Sequence, residues 1–239
     1  NRTSPFPYGG HRFEFRAVGS SQNVSMVNIV LATSVSKIFN EFNIAIENGM
    51  SPREVASNAL KENFHVIFNG NGYDINNQDM LTKKGLCRID NTIDAIKCMN
   101  SNKNKILFND MNIFNNNECD ARTDIMLEHY IGVVEMEALT MIDMINQNVI
   151  PSCLDSHDSI QNACPINELK LGMLNIKQHL NSIHKSNNII DKSRIANTLR
   201  LDIMEKIRDL CDECEQIVPA NKWTLATYKD LLFLDHTSM

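Results

Sequence analysis

The sequence predicts an α+β protein that is mostly α, with a strand and several helices first and an antiparallel helical bundle after them. Three observations predict it. In Arg12-Phe13-Glu14-Phe15-Arg16 charged and aromatic residues alternate strictly, which is the period of a half-buried strand. Between Val27 and Met99, helical spacing of apolar residues is punctuated by caps and glycines. Beyond Glu118, apolar residues recur at alternating steps of three and four, the seam of helices packed side by side.

The elements follow in order. Ser20 or Ser21 is placed to cap a helix through Val27, Leu31, Val35, Ile38, Phe42 and Ile46, which Gly49 ends. Ser51-Pro52-Arg53-Glu54 reads as a capping box with proline at the first helical position, opening a helix through Val55, Ala59 and Phe64 that Gly70-Asn71-Gly72 stops. A short helix is predicted from Gln78 to Lys84, closed by Gly85, and another from Thr92 to Met99. From Ser101 to Asn117 Asn and Lys dominate, which predicts a loop or boundary whose apolar island Ile106-Leu107-Phe108 docks.

Three seams come next. The first is Leu127, Ile131, Val134, Ala138, Met141 and Ile145, with Pro151 kinking or ending the helix. The second is Ile166, Leu169, Met173, Ile176, Leu180 and Ile183, opened by Pro165; the third is Ile195, Leu199, Ile203, Ile207, Leu210, Cys214 and Ile217. Short links make the three an antiparallel bundle. Trp223 and Tyr228 to Phe233 form an amphipathic tail expected to dock.

Composition excludes some functions. The 239 residues are 43% hydrophobic and 22% charged with a net charge of −6, and no Lys/Arg cluster supplies a nucleic-acid footprint. Apolar runs such as Met26 to Ala32, broken by Asn28, fall short of the roughly 20 residues of a membrane helix, so no membrane partner is expected. Seven cysteines in no regular framework predict reduced thiols and an intracellular setting, cytoplasmic or plastid. Cys211-x-x-Cys214 lies on a helix with no second pair and no nearby histidine to complete four ligands, so Cys214 is read as a seam residue. His129, His157, His179 and His184 stand at unrelated spacings, and the methionines at 126, 136, 141 and 144 have the spacing of a core stripe.

The stretch that carries chemistry is the first. On a strand Arg12, Glu14 and Arg16 share one face, and a carboxylate between two guanidiniums can hold a metal ion while the planar cations grip carboxylate or phosphate oxygens. The same row also occurs on the solvent face of an ordinary sheet.

The wording around it decides between those readings. Asn1-Arg2-Thr3-Ser4-Pro5-Phe6, then Phe13-Glu14-Phe15-Arg16, then Gly19-Ser20-Ser21-Gln22 closely resembles the glutamine synthetase active site in its type III form. Glu137-Ala138-Leu139-Thr140-Met141-Ile142-Asp143-Met144 resembles a type III segment, and Trp223 to Phe233 is similar to that family's C-terminus. The resemblance implies a C-terminal remnant of the catalytic domain at 1–112, a helical extension at 113–218 and a docking tail at 219–239. Beginning at Asn1 within an active-site loop, the chain reads as part of a longer one.

By this resemblance Glu14 matches the glutamate that binds the divalent metal bridging the nucleotide phosphates. Arg16 matches the arginine holding substrate glutamate and the acyl-phosphate oxygens, and Arg2 the one that touches both nucleotide phosphate and glutamate. Arg12 aligns near nucleotide contacts; for it and His11 a surface role stands equally beside that one. The implied reaction is ATP-dependent ligation of ammonia to L-glutamate through a γ-glutamyl phosphate, with Mg2+ or Mn2+, in a homo-oligomer of two stacked rings, a dodecamer. Three anionic groups crowd together in it, and metal and arginines offset that charge. The alternative is a non-catalytic helical scaffold that keeps an inactive synthetase remnant.

Overall fold

The computed structural model describes residues 6–17, 19 and 23–233. Its chain divides into two compact units, residues 1–120 and 121–239. The mostly helical expectation holds, but the α+β class does not: among the described residues there is no strand, only a single antiparallel bridge between Tyr8 and Phe13. A strand is defined by a ladder, and among the described residues the segment 12–16 pairs only through that one bridge, across the Gly9–Gly10 turn, too short to make one. Alternation of side chains is thus present without a sheet.

In the first unit the chain runs through α1 (Ser25–Glu47), α2 (Pro52–Glu62), a 3-10 turn (Phe64–Val66), α3 (Ile75–Lys83), α4 (Thr92–Met99) and α5 (Asn102–Asp110). α1 packs against α2 and α5, and α4 against α5. Its predicted cap, Ser20 or Ser21, lies outside the described residues. Gly49, at φ +98°, ends the helix; its N–H donates to Ile46 O at 2.9 Å and the Met50 N–H to Ala45 O at 3.1 Å, the pairing that a left-handed residue permits.

At α2 the capping box forms as read, the Glu54 N–H donating to Ser51 Oγ and the Ser51 N–H to Glu54 Oε2 at 2.9 Å. α3 begins at Ile75, ahead of Gln78, because Asp74 caps it by accepting from the Asn76 N–H at 2.8 Å. α5 occupies the stretch read as loop. Phe108 is only 3% exposed there and meets the Phe114 ring at 5.3 Å, and Lys105 binds Asp120 at 2.7 Å. These tertiary contacts override the poor helix propensity of the Asn/Lys run.

α1 departs from the composition-based expectation. It is 23 residues long with a mean hydropathy of 1.3 over its most apolar window, of which 6% is buried, so by length and composition it could cross a membrane. Its centre carries Lys37 and Glu41, paired at 3.7 Å, groups that are expensive in a bilayer. The polar breaks at Asn28, Lys37, Asn40 and Glu41 had hidden this stretch from a search for unbroken runs. A helix apolar all round is one built to be covered on more than one side.

The second unit is an up–down–up bundle. Its first rod is α6 (Asn116–Met144), which begins at the end of the first unit and continues through a π-helical turn (Ile145–Val149) into α7 (Ile150–Leu154); α8 (Asp158–Ala163) is a short link. α9 (Ile166–Lys185) returns, and α10 (Ile189–Thr198), a second π turn (Leu199–Met204) and α11 (Glu205–Ile217) form the third rod. The third runs parallel to the first: Tyr130 OH donates to Asn197 Oδ1 at 3.1 Å and Arg200 pairs with Glu137 at 3.1 Å. α9 runs opposite to both, its late residue His184 lying 3.7 Å from Glu135.

The seams form the core. Leu127, Ile131, Val134, Ala138 and Ile145 are buried, as are Leu169, Met173, Ile176, Leu180 and Ile183, each large side chain contributing about 1.5–3 kcal/mol by leaving water. The third seam holds at Leu199, Ile207 and Cys214, whereas Ile217 is exposed and Ser193, Ala196 and Val218 are buried instead. The π turn between Leu199 and Met204 adds a residue to one turn and shifts the buried face. Pro151 does not end the first rod: the π turn just ahead of it accommodates the proline and the helix closes only at Leu154.

The tail docks in part. Thr224 Oγ1 accepts from Asn148 Nδ2 at 3.0 Å, Lys222 pairs with Asp155, and Trp223 lines a cavity with the first rod. α12 (Tyr228–Leu232) starts with a Thr227/Asp230 capping box, while Leu231, Leu232 and Phe233 stay exposed.

Candidate functional site

The candidate site is built on residues 6–17. Gly10, at φ +90°, turns the chain through a conformation that side chains resist. The Gly9 N–H then donates to Arg12 O at 2.8 Å, the Glu14 N–H to Pro7 O at 3.1 Å, and Tyr8 OH to Gly10 O. Aromatic rings fix the apolar side: Phe13 lies 5.2 Å from Phe6 and 4.9 Å from Tyr8, and Phe15 is 5.8 Å from Phe6, centroid to centroid. Alternation leaves the other side to the charges.

There the structure brings Arg12, Glu14 and Arg16 together. Glu14 Oε1 accepts from Arg12 Nη2 at 2.6 Å and Nε at 2.9 Å; Oε2 accepts from Arg16 Nη2 at 2.7 Å and Nε at 3.1 Å. One carboxylate is held from both sides by planar cations. Hydrogen bonds from Arg16 and then Arg12, with the field of both, hold the Glu14 carboxyl below its ordinary range. Arg12 and Arg16 are exposed, at 63% and 39% of their side-chain surface, and Glu14 between them is half-buried at 36%, so solvent and anions reach the row. With two cations to one acid, the row keeps one positive charge in excess. Such a row can bind a phosphate or carboxylate through its guanidiniums and offer a carboxylate oxygen to a cation. Arg2 lies outside the described residues.

For a divalent metal the donor set fits in kind. Mg2+ and Mn2+ take hard oxygen ligands, and Glu14 provides an ionised carboxylate. It is a single ligand, and both its oxygens already accept from guanidiniums, so further oxygens have to complete any such site.

Two features of the second unit escaped sequence reasoning. A cavity of about 710 Å3 is lined by Met136, Met141, Met144, Ile145, Trp223 and Leu225, among others, and the Trp223 indole nitrogen is buried without a hydrogen-bond partner among the described residues. Cys153, Cys164 and Cys214 also converge. The thiols have no spacing signal, because they come from separate segments, whereas the helical spacing of Met136, Met141 and Met144 had been read as core although Met136 and Met144 are exposed.

Two guanidiniums holding an acid between them offer donors suited to phosphate and carboxylate oxygens. Residues 51–167 match the glutamine synthetase C-terminal domain. Over 98% of its length the chain is 29% identical to the type-3 glutamine synthetase of Dictyostelium discoideum, and 27% identical to a glutamine synthetase of Bacteroides fragilis. A glutamine synthetase of Butyrivibrio fibrisolvens is 24% identical over the same share. The resemblance to type III glutamine synthetase read from the sequence therefore holds along the chain, which spans 37% of the length of each of these relatives. That coverage is consistent with a C-terminal portion.

Proposed function

We propose that this chain is the C-terminal part of a type III glutamine synthetase, an ATP-dependent glutamate–ammonia ligase that works through a γ-glutamyl phosphate. The observation that carries the reading is the Arg12–Glu14–Arg16 row in a chain similar to glutamine synthetases over 98% of its length. Glu14 is assigned as one ligand of the Mg2+ or Mn2+ that serves the nucleotide. Arg16 holds the carboxylate of L-glutamate and the acyl-phosphate oxygens, and Arg12 faces nucleotide phosphate. Arg2 is assigned to nucleotide phosphate and glutamate by resemblance alone.

In this arrangement the guanidiniums do two things. They keep Glu14 ionised, and they present fixed donors to oxygens whose negative charge grows as phosphate is transferred, which is where such an enzyme obtains most of its rate. The metal, when bound, supplies positive charge that offsets the phosphate oxygens.

We assign residues 1–112 to the catalytic domain, 113–218 to a helical extension and 219–239 to its docking tail. The apolar surface of α1, including Val35, Ile38, Phe39 and Ile44, is assigned to burial under the rest of that domain. By resemblance the assembly is a homo-oligomer of stacked rings, a dodecamer. Seven free cysteines suit a reducing compartment, cytoplasm or plastid. The test is phosphate release from ATP by a longer chain containing these residues, with ammonia and Mg2+ or Mn2+. Release that depends on L-glutamate is expected; its absence in a folded protein overturns the ligase and leaves the scaffold reading.

A further inference from the structure

Three thiols from separate parts of the second unit meet in its interior. Cys153 sits in the last turn of α7, Cys164 ends α8, and Cys214 lies on α11. Their Sγ atoms are all within 4.8 Å of one another, and the residues are 0%, 8% and 0% exposed.

Each thiol stands on backbone that is held in place. Gln161 Nε2 donates to Leu154 O at 2.9 Å and to Ser156 O at 2.8 Å, closing the turn between α7 and α8. Ser156 Oγ donates to Ser152 O at 2.9 Å, fixing the turn that carries Cys153. The Cys164 N–H donates to Ile160 O at 3.0 Å, and Cys214 O accepts from the Val218 N–H at 2.9 Å. Opposite them, Cys214 occupies a seam position of the third rod.

A core position asks only for apolar volume, which one thiol supplies as well as alanine or valine does. Three thiols directed at one point do something apolar groups do not: they form a preorganised set of soft donors. Burial above all pushes the Cys153 and Cys214 thiols up from their ordinary range. Cys211, one turn before Cys214, is half-buried and outside the set.

The number of donors selects the metal. Structural zinc takes four ligands in a tetrahedron, and three are brought together among the described residues. Soft thiolates suit copper(I), which accepts three sulfurs in a plane; with metal–sulfur bonds of about 2.3 Å those sulfurs stand about 4 Å apart, within the observed spread. We propose that Cys153, Cys164 and Cys214 form a three-coordinate thiolate site for a soft metal ion of the copper(I) type. Binding forms metal–sulfur bonds and releases one proton to solvent for each thiolate made, with no change of oxidation state.

The experiment titrates the reduced 239-residue chain anaerobically with copper(I) presented as its bathocuproine disulfonate complex. One copper per chain is expected to transfer, with X-ray absorption reporting three sulfurs around it. In the unaltered chain, at a denaturant concentration at which the buried thiols of the metal-free protein react, bound copper is expected to protect Cys153, Cys164 and Cys214 from alkylation, read by mass spectrometry, while Cys87 continues to react. Cys164→Ser and Cys214→Ser are expected to lose the metal; Cys87→Ser and Cys211→Ser keep it. The protection pattern needs no substitution, so a variant that fails to fold leaves the test intact. Failure of transfer, protection of a different set of cysteines, or four sulfurs with loss in Cys211→Ser overturns the proposal.

Discussion

Gly172 on α9 lies against Ile207 on α11 so closely that a Cβ at position 172 would stand 2.8 Å from Ile207 Cγ1 and 3.0 Å from Cδ1. The missing side chain lets two helices of the bundle approach at that level. Gly172→Ala gains about 1 kcal/mol of helix propensity but overpacks the contact, a cost of about 1–3 kcal/mol. The variant is therefore expected to unfold at lower denaturant than the parent, with an unchanged slope. A higher midpoint would mean that Ile207 turns aside without cost.

The seam register is tested by a pair of neighbours. Ile176 is fully buried and Lys177 exposed. Ile176→Asp places a charge without a partner where the helices meet, a loss of about 3 kcal/mol or more, while Lys177→Asp is expected to be nearly silent. Thermal unfolding of the full chain, followed by circular dichroism, separates the two; equal melting contradicts the register.

Much of this was legible in the sequence because local chemistry and tertiary packing agree. The Ser51/Glu54 capping box, the Gly49 stop and the α9 seam from Leu169 to Ile183 are each specified by a few adjacent residues. What failed depends on distant partners. The predicted strand at 12–16 needed a neighbour to become one, α5 needed Phe114 and Asp120, and the third seam was displaced by a π turn with no signature in the sequence. The candidate row survived the loss of its strand because side-chain alternation and the Phe6–Phe13 stack hold it without a sheet. Cys214 was read as a seam residue, which it is, but its convergence with Cys153 and Cys164 could not be read from spacing because the three come from separate segments.

The Glu14 carboxyl is expected to titrate below the ordinary glutamate range, since Arg16 and Arg12 favour its charged form. Its folded-state pKa is depressed, so the row is intact above the unfolded value and is lost as pH falls through the folded one. Carbon-detected NMR of labelled glutamate side chains follows this directly. Replacing both arginines by alanine should return Glu14 to the ordinary range; an unchanged titration would mean the ion pairs do not persist in solution.

The chain alone is expected to make no glutamine. Glu14 is the single carboxylate the candidate row offers, and the proposed transfer needs a cluster of metal-held charges that one acid cannot hold. Glutamate-dependent phosphate release by the purified 239-residue chain, with Mg2+ or Mn2+, would show that these residues hold a complete site.

The most direct test of the account is Glu14→Ala in the proposed longer synthetase chain, with turnover measured at saturating metal and assembly followed by sedimentation. If Glu14 is a metal ligand, turnover falls by orders of magnitude and the apparent metal affinity weakens while the assembly stays intact. Activity within about twofold of the parent, too small a change for a lost transition-state contact, would contradict the assignment of Glu14 to the reaction.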